Sequence, residues 1–579
     1  MSASMDASLQ YDLVVVGSGA GGLSTAVTAA HLGLSVIVLE KEACYGGTTA
    51  WSGGWMWIPG NPLAVAAGIH EPTGQALAYL RHELGEHLDE DRARAFLANG
   101  PRMVDFFRRH TALQFIDGNA IPDFHGNSPG AAQGGRSVCA APFDGRRLGA
   151  QRKALKSPPA ETTLWGMGIA SGAELRHFLQ ATRRLASFWY VARRVAGHLI
   201  DLLRHGHSQR LVNGHALVAA LATSALEKGV VLRTGSPVKR LVLAPTNESQ
   251  RVVGVVVAAD GGGSACETTI HARLGVILAC GGFPHDLARK QQLLPHAPTG
   301  REHWSAAARG NTGDGLRMGE QAGGQVSRDL VHAAALAPVS LVPRAGGEFA
   351  HFPHLIERAK PGLIAVRNNG RRFCNEANSY YDFVSALIDH TPPGEAVQAW
   401  LICDHRFIRR YGLGAVKPAP MPLTRHVRSG YLVRAHDLGA LARICGLNAE
   451  ALTQTVARYN TMARAGHDDD YAKGETPYNR VQGDASSPWP NPCMAALQKA
   501  PFYAVRVVPG SLGTFAGLRV NAQAQVLDDR DQAIAGLYAA GNDMSSMMGG
   551  RYPSGGITLG PAMTFGYLAA HHAAGKSPE

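Results

Sequence analysis

The chain lacks most signatures that would assign it to a simple functional class. No apolar run reaches the roughly 18 residues a membrane-spanning helix needs, and Met1 to Gln10 has no apolar core of the signal-peptide kind. The expected placement is therefore cytoplasmic. The eight cysteines (Cys44, Cys139, Cys266, Cys280, Cys374, Cys403, Cys445 and Cys493) are scattered, with no CxxC or CxxCH. That spacing excludes a recognisable zinc, iron–sulfur or haem c site, so no metal is expected. Charged residues are only 17% of the chain, and the net charge of +11 is spread along it rather than gathered in one tract. Nucleic-acid binding is not expected from such a pattern. Internal repeats and low-complexity tracts are absent, and at 579 residues the chain exceeds the size at which single cores stop growing.

What is present begins at residue 12. Residues 12–16 are an apolar, β-branched run that reads as a buried parallel strand, followed directly by Gly17-Ser18-Gly19-Ala20-Gly21-Gly22. An Ala-rich helix is expected over 23–32 and a second strand over 35–39, ending at Glu40; together they make a βαβ unit of the usual ~30 residues. In such a unit Gly17 permits the tight turn, Gly19 lets the backbone approach a pyrophosphate, and Gly22 allows close helix–strand packing. The helix N-terminus offers free N–H groups and a positive dipole end to phosphates. Glu40 is placed to bind an adenosine ribose, and its carboxylate would repel a 2′-phosphate. A dinucleotide follows from these residues, but not which one.

Beyond this unit, residues 72–205 read as a mostly helical insertion with a Gly/Pro-rich interlude over 118–159. Strands are expected over 229–242, 251–258 and 274–279. Residues 322–500 mix loops and helices without a second GxGxxG, and 536–542 return to a strand ending in the glycine turn Ala540-Gly541-Asn542. The fold expected is α/β: a Rossmann-like cofactor domain over 1–321 and 505–579, with an α+β substrate domain inserted over 322–504. Two segments favour FAD over NAD. One is Gly46-Gly47-Thr48-Thr49-Ala50-Trp51-Ser52-Gly53-Gly54, soon after Glu40; the other is the late glycine turn.

With these residues in place the chain resembles the succinate dehydrogenase/fumarate reductase flavoprotein superfamily, and within it the 3-ketosteroid dehydrogenases. The resemblance rests on both glycine segments, on Thr312-Gly313-Asp314-Gly315, on Asn369 to Glu376, and on Tyr552-Pro553-Ser554-Gly555-Gly556-Ile557-Thr558-Leu559-Gly560-Pro561-Ala562. It implies extended FAD in contact with Gly17 to Gly22, Glu40, Lys41, Gly47, Thr48, Thr49, Ser52, Gly53, Val238, Gly281, Asp314, Gly541 and Asn542. The isoalloxazine would lie against Gly556, Thr558 and Leu559. Members that attach FAD covalently use a histidine near the Gly-Gly-Thr segment; none lies between Lys41 and Gly60, so the FAD is expected to be noncovalent.

The resemblance also implies chemistry. Removing two hydrogens beside a ketone needs a base for the α-proton, a holder for the carbonyl oxygen and a hydride acceptor. Tyr380, which follows the Asn-Glu motif, is the expected base, with Tyr381 as its rival; Tyr552 hydroxyl and Gly556 N–H would hold the oxygen. A tyrosine base requires its pKa near 10 to be lowered. The expected activity is 1,2-desaturation of a 3-ketosteroid, with electrons leaving to a quinone or another mobile acceptor.

One departure stands out: Pro122-Asp123-Phe124-His125 replaces a Pro-Asp-Tyr-Tyr, so a hydroxyl is missing unless His125 replaces it. A Tyr552–Ser554 pair would instead suit 4,5-desaturation of a 5α-reduced steroid, and a smaller cyclic ketone such as cyclohexanone suits the same chemistry. A flavin-binding protein without ketone turnover is the reading from outside enzymology. Dicarboxylate reduction is disfavoured, because the His-Gly-x-Asn-Arg pattern is absent. Tyr552, Tyr380, Phe124, Trp51 and Phe383 are the candidate pocket walls. Finally, residues 175–203 interleave Phe178, Leu185, Phe188, Trp189, Val195 and Leu199 with Arg183, Arg184, Arg193 and Arg194. This is a candidate peripheral contact with the inner face of the membrane, set against an ordinary packed helix.

Overall fold

The computed structural model describes residues 9–245, 250–258 and 267–578. The chain enters on strand β1 (Leu9–Val16), turns through the glycines into helix α1 (Ala20–His31), and returns on β2 (Val36–Leu39). The last four residues of β1 and all of β2 are buried, as β-branched runs covered on both faces should be. Helices α2 (Ala173–Gln180) and α3 (Leu185–His205) form a hairpin, and α4 (Asn213–Glu227) leads back to β3 (Val231–Arg233). Strands β4 (Val238–Pro245), β5 (Gln250–Ala258) and β6 (Glu267–Leu278) complete this part of the sheet.

The next region contains β7 (Leu363–Val366), helix α5 (Tyr380–Asp389), β8 (Ala399–Cys403), β9 (Val433–Ala435) and β10 (Phe502–Val507). Its four strands form an antiparallel sheet in the order β7-β8-β10-β9. The chain then returns on β11 (Gln525–Leu527) and β12 (Ala533–Ala539) and ends in helix α6 (Leu559–Ala573). The main sheet runs β11-β12-β6-β1-β2-β3, with the β4–β5 hairpin added to β6. β1 pairs parallel with both β2 and β6, and β12 pairs parallel with β6, so two segments some 500 residues apart meet at one sheet end. Helices α1, α4 and α6 are rich in Ala and Gly and buried almost all round; α1 packs against both others as part of the core.

Short strands add detail the sequence did not show. In the insertion, helices Gln75–Leu84, Glu90–His110, α2 and α3 flank a strand-bearing middle: Phe115–Asp117 and Ser137–Ala140 form a sheet with Trp55–Trp57, and Phe143–Asp144 pairs with Arg210–Leu211. The stretch read as loops and helices also carries the β7–β10 sheet, in keeping with an α+β inserted domain. Strands of two to five residues between Gly and Pro show too little alternation to register as a period.

Candidate functional site

A cavity of about 1630 Å³ begins at the C-terminal ends of β1 and β2 and reaches the interface with the β7–β10 region. Gly17, Ser18, Gly19, Ala20, Gly21, Glu40, Lys41, Gly47, Thr48, Thr49, Ser52, Gly53, Val238, Gly281, Asp314, Gly541, Asn542, Gly556, Thr558 and Leu559 all line it. Gly22 does not. A Cβ there would sit 2.0 Å from the Gly17 carbonyl oxygen, so this glycine serves the closeness of helix to turn rather than direct contact.

One end is organised by backbone and fixed charges. Helix α1 starts at the Gly19 cap with no side-chain cap and no acidic residue in its first turn, which leaves that end open to an anion. Glu40 accepts from Ser18 Oγ at 2.5 Å and from Glu42 N–H at 3.0 Å, so its carboxylate is already oriented. Thr49 Oγ1 accepts from Ala20 N–H at 3.0 Å, and Thr48 Oγ1 accepts from Ala308 N–H and Asn311 Nδ2, each at 2.9 Å. Lys41 Nζ reaches Asp314 at 2.5 Å, and Arg317 pairs with the other Asp314 oxygen. Asp543, which the sequence pattern did not flag, is fully buried and accepts from Cys280 N–H at 2.5 Å and Gly282 N–H at 2.9 Å. It clips the end of β6 to the turn after β12, and burial raises its pKa.

The other end is aromatic. Phe124 is buried against three tyrosines: ring centroids lie 4.7 Å from Tyr478, 5.4 Å from Tyr380 and 5.7 Å from Tyr552. Tyr380 and Tyr552 stand edge to face at 5.0 Å. All four side chains line the cavity, as does Trp51. Phe124 is held there because its N–H donates to the Pro553 carbonyl at 3.1 Å, while Tyr79 Oη donates to the same oxygen at 2.6 Å. Asp123 accepts from Trp57 Nε1 at 2.8 Å and is paired with buried Arg136. Gly556 has φ of +98°, and a Cβ would lie 2.7 Å from the Trp57 nitrogen, so the turn that faces the ring end requires glycine.

Several expected roles change. Tyr381 is turned away from the cavity: its hydroxyl donates to the Gly550 carbonyl at 3.0 Å and meets His332 Nδ1 at 2.7 Å. Phe383 is buried behind Phe373 and does not line the cavity. His125 does not replace the missing hydroxyl, because its two ring nitrogens are engaged by Glu83 at 2.5 Å and Asp382 at 3.1 Å. Burial alone would lower its pKa, but these two carboxylates outweigh burial and raise it to about 10. Ser554 is buried and away from the cavity, which removes the Tyr552–Ser554 pair.

The depression expected of Tyr380 is also not found. Burial pushes it well above the usual tyrosine range, and the interaction with Tyr552 adds to the rise. Burial raises Tyr552 too, opposed by its hydrogen bonds with Tyr380 and Thr558. Tyr478 was missed altogether. It lies between Pro477 and Asn479 with no glycine pattern to mark it, and only the fold brings it to the wall.

A cavity with an open helix N-terminus, a ribose-oriented carboxylate and a glycine-floored aromatic end is that of a noncovalent FAD oxidoreductase. A family model described as FAD binding domain matches residues 12–559. The chain is 37% identical to 4-oxocyclohex-2-ene-1-carboxylate 5-dehydrogenase of Sinomonas cyclohexanicum, over 97% of this chain and 93% of the relative. It is 36% identical to 3-oxosteroid 1-dehydrogenase of Mycobacterium tuberculosis, over 98% and 99%. The structure of 3-ketosteroid delta1-dehydrogenase from Sterolibacterium denitrificans superposes with a TM-score of 0.89 at 36% identity, covering 98% of this chain and 99% of the other. The chain belongs to the FAD-binding succinate dehydrogenase/fumarate reductase flavoprotein superfamily, close to the 3-ketosteroid dehydrogenases, and is an FAD-dependent oxidoreductase acting on CH–CH bonds.

Proposed function

We propose that the protein removes the 1,2 hydrogens of a 3-ketosteroid. The convergence of Tyr380 and Tyr552 on one cavity wall, beside the Gly556 turn, carries this reading. Glu40 and the α1 N-terminus would hold the adenosine and pyrophosphate of FAD, and Gly556, Thr558 and Leu559 its ring. When bound, the flavin supplies the hydride acceptor. Tyr552 O–H and Gly556 N–H would donate to the ketone oxygen. Tyr380 takes the α-proton; the C–H electron pair moves toward the carbonyl as that oxygen is held. Because burial raises Tyr380, its phenolate fraction is small at neutral pH, and the proton-abstraction rate should increase as pH rises. The clustered rings of Phe124, Tyr380, Tyr478 and Tyr552 favour an apolar ketone. The experiment is anaerobic mixing with a 3-keto-4-ene steroid and with a 5α-reduced one. The 1,4-diene-3-one is the expected product of the first, and desaturation confined to the second would refute 1,2 chemistry.

A carboxylated cyclohexanone is the second reading. A relative at 37% identity is named for such a substrate, and Arg176 and Arg480 line the same cavity with no carboxylate in ion-pair reach among the described residues. A kcat/KM at least tenfold higher for a 4-oxocyclohexanecarboxylate than for any steroid would establish it.

The electrons would leave the flavin to a mobile acceptor such as a quinone. No described helix is long and apolar enough to cross a membrane. The α2–α3 hairpin nevertheless exposes Leu185 (74%), Phe188 (50%), Trp189 (64%) and Leu203 (87%). Leu175, Leu179, Arg183 and Arg184, at its start, line the cavity. This edge fits a peripheral contact with an anionic bilayer at the mouth through which an apolar ketone enters. Co-flotation with anionic vesicles, weakened in Phe188→Ser/Trp189→Ser, is expected; absence of flotation at low salt would contradict it.

A further inference from the structure

Behind the aromatic wall lies a cation that the chemistry above does not use. Arg358, in the turn Glu357–Ala359, is 1% exposed, and its guanidinium donates only to main-chain carbonyls. Nε reaches His354 O at 3.0 Å, Nη1 reaches Glu376 O at 2.8 Å, and both terminal nitrogens reach Asn378 O at 3.2 Å. One face lies over the Phe383 ring at 5.0 Å. Among the described residues no carboxylate is within ion-pair distance of it.

Two other deeply buried arginines are built differently. Arg372 is paired with Glu376 at 2.8 Å and Asp468 at 2.7 Å; Arg136 is paired with Asp123 and Glu71. The carboxylates nearest Arg358 are committed elsewhere. Glu357 faces His354 at 2.6 Å, Asp382 faces His125 and Ser379, and Glu376 faces Arg372 and Lys473. Desolvation opposes burying a cation without a carboxylate partner, and a fixed charge in this place bears on the groups around it. Two tyrosines are within its sphere. The Asn378 carbonyl it grips immediately precedes Ser379, the cap of α5, and Tyr380 is the first residue of that helix. The short helix Pro477–Gln482, which carries Tyr478, packs against its turn.

We propose that Arg358 is a positioning residue for proton abstraction: its guanidinium, free of any carboxylate partner, fixes the Tyr380 end of α5 and stabilises negative charge on Tyr380. The proposal rests on the ketone reading above. In the step concerned, the substrate α C–H bond breaks and an O–H bond forms on the Tyr380 phenolate. The electron pair moves onto the carbonyl, and Arg358 stays protonated throughout. The remaining charged or titratable groups facing the pair are Asp382 on α5, Glu357 on the arginine's own turn, Cys374 and Tyr552. Consistent with the placement, the charge of Arg358 acts downward on both Tyr380 and Tyr478, against burial, which raises them.

The test separates proton abstraction from oxidation. Holoenzyme whose flavin has been reduced with dithionite is incubated with a 3-keto-4-ene steroid in D2O, and loss of the α-hydrogen signal is followed by proton NMR against pH. Wild-type exchange should rise with pH. In Arg358→Gln the rise should shift upward by about one unit, making exchange roughly tenfold slower at a fixed pH on the rising limb, with ketone Kd within about twofold. Arg358→Lys should recover most of the rate. An unshifted profile in Arg358→Gln, or uniform slowing that lysine does not rescue, would overturn the proposal. Should Arg358→Gln fail to fold, Arg358→Met decides by the same profile: an upward shift supports the proposal, and a wild-type profile overturns it. If wild-type protein exchanges no α-hydrogen from any ketone, it is the ketone reading itself that fails.

Discussion

The two ends of the cavity are built on opposite plans. At the adenosine end, binding is done by backbone: a glycine turn, an uncapped helix N-terminus and a few carboxylates already oriented by neighbours, as Glu40 is by Ser18. At the ketone end the backbone contributes chiefly the Gly556 turn, and the wall is side chain: Phe124, Tyr380, Tyr478 and Tyr552, from four distant segments. The first plan fixes a ligand through geometry that side-chain substitution barely touches. The second places acidity and shape where each hydroxyl matters, and Arg358, buried without a carboxylate partner, stands at its back.

Substitutions should separate the two ends cleanly. The largest effect is expected from Tyr552→Phe and Tyr380→Phe, which should slow flavin reduction by ketone by about 10²–10⁴-fold while the bound-flavin spectrum persists; stopped-flow reduction reads this directly. Next, Glu40→Ala should weaken FAD by about 10- to 100-fold, the loss of charge-assisted hydrogen bonds. The reduction rate of flavin-saturated enzyme should stay within about threefold, as titration of stripped protein with FAD would show.

A pH effect sharpens the comparison further, because His125 braces only the ketone end. Its folded pKa of about 10 lies above the unfolded value near 6.5, so its contribution is complete below pH 6.5 and is lost as pH rises toward 10. His125→Gln should therefore flatten the decline of stability between those limits in denaturant titrations. The smallest effect is expected for Tyr381→Phe: less than about threefold on turnover and about 1 kcal/mol on stability, for the lost bond to Gly550.

How much was legible in the sequence follows the same division. Gly17 to Gly22, Glu40 and Gly541 could be read directly, because a turn that must hold glycine and a strand that must be buried leave local marks. Only Gly22 proved to serve packing instead of contact. Tyr380 and Tyr552 were reached through family resemblance, since nothing local distinguishes a catalytic tyrosine from a packed one. Tyr478, Arg358 and Asp543 left no mark, because their significance depends on which distant elements the β7–β10 sheet and the α5 cap bring together. Sequence also suggested His125 as a substitute hydroxyl, and the fold instead spends both its nitrogens on Glu83 and Asp382. The lowering of Tyr380 was a chemical requirement transferred to a site whose burial opposes it.

The most direct test of the central claim is to mix the oxidised holoenzyme anaerobically with a 3-keto-4-ene steroid and follow both the flavin absorbance and the steroid. The flavin should bleach in one phase with formation of the 1,4-diene-3-one in equal amount. A flavin that stays oxidised with this steroid, with its 5α-reduced counterpart and with cyclohexanones would contradict the account.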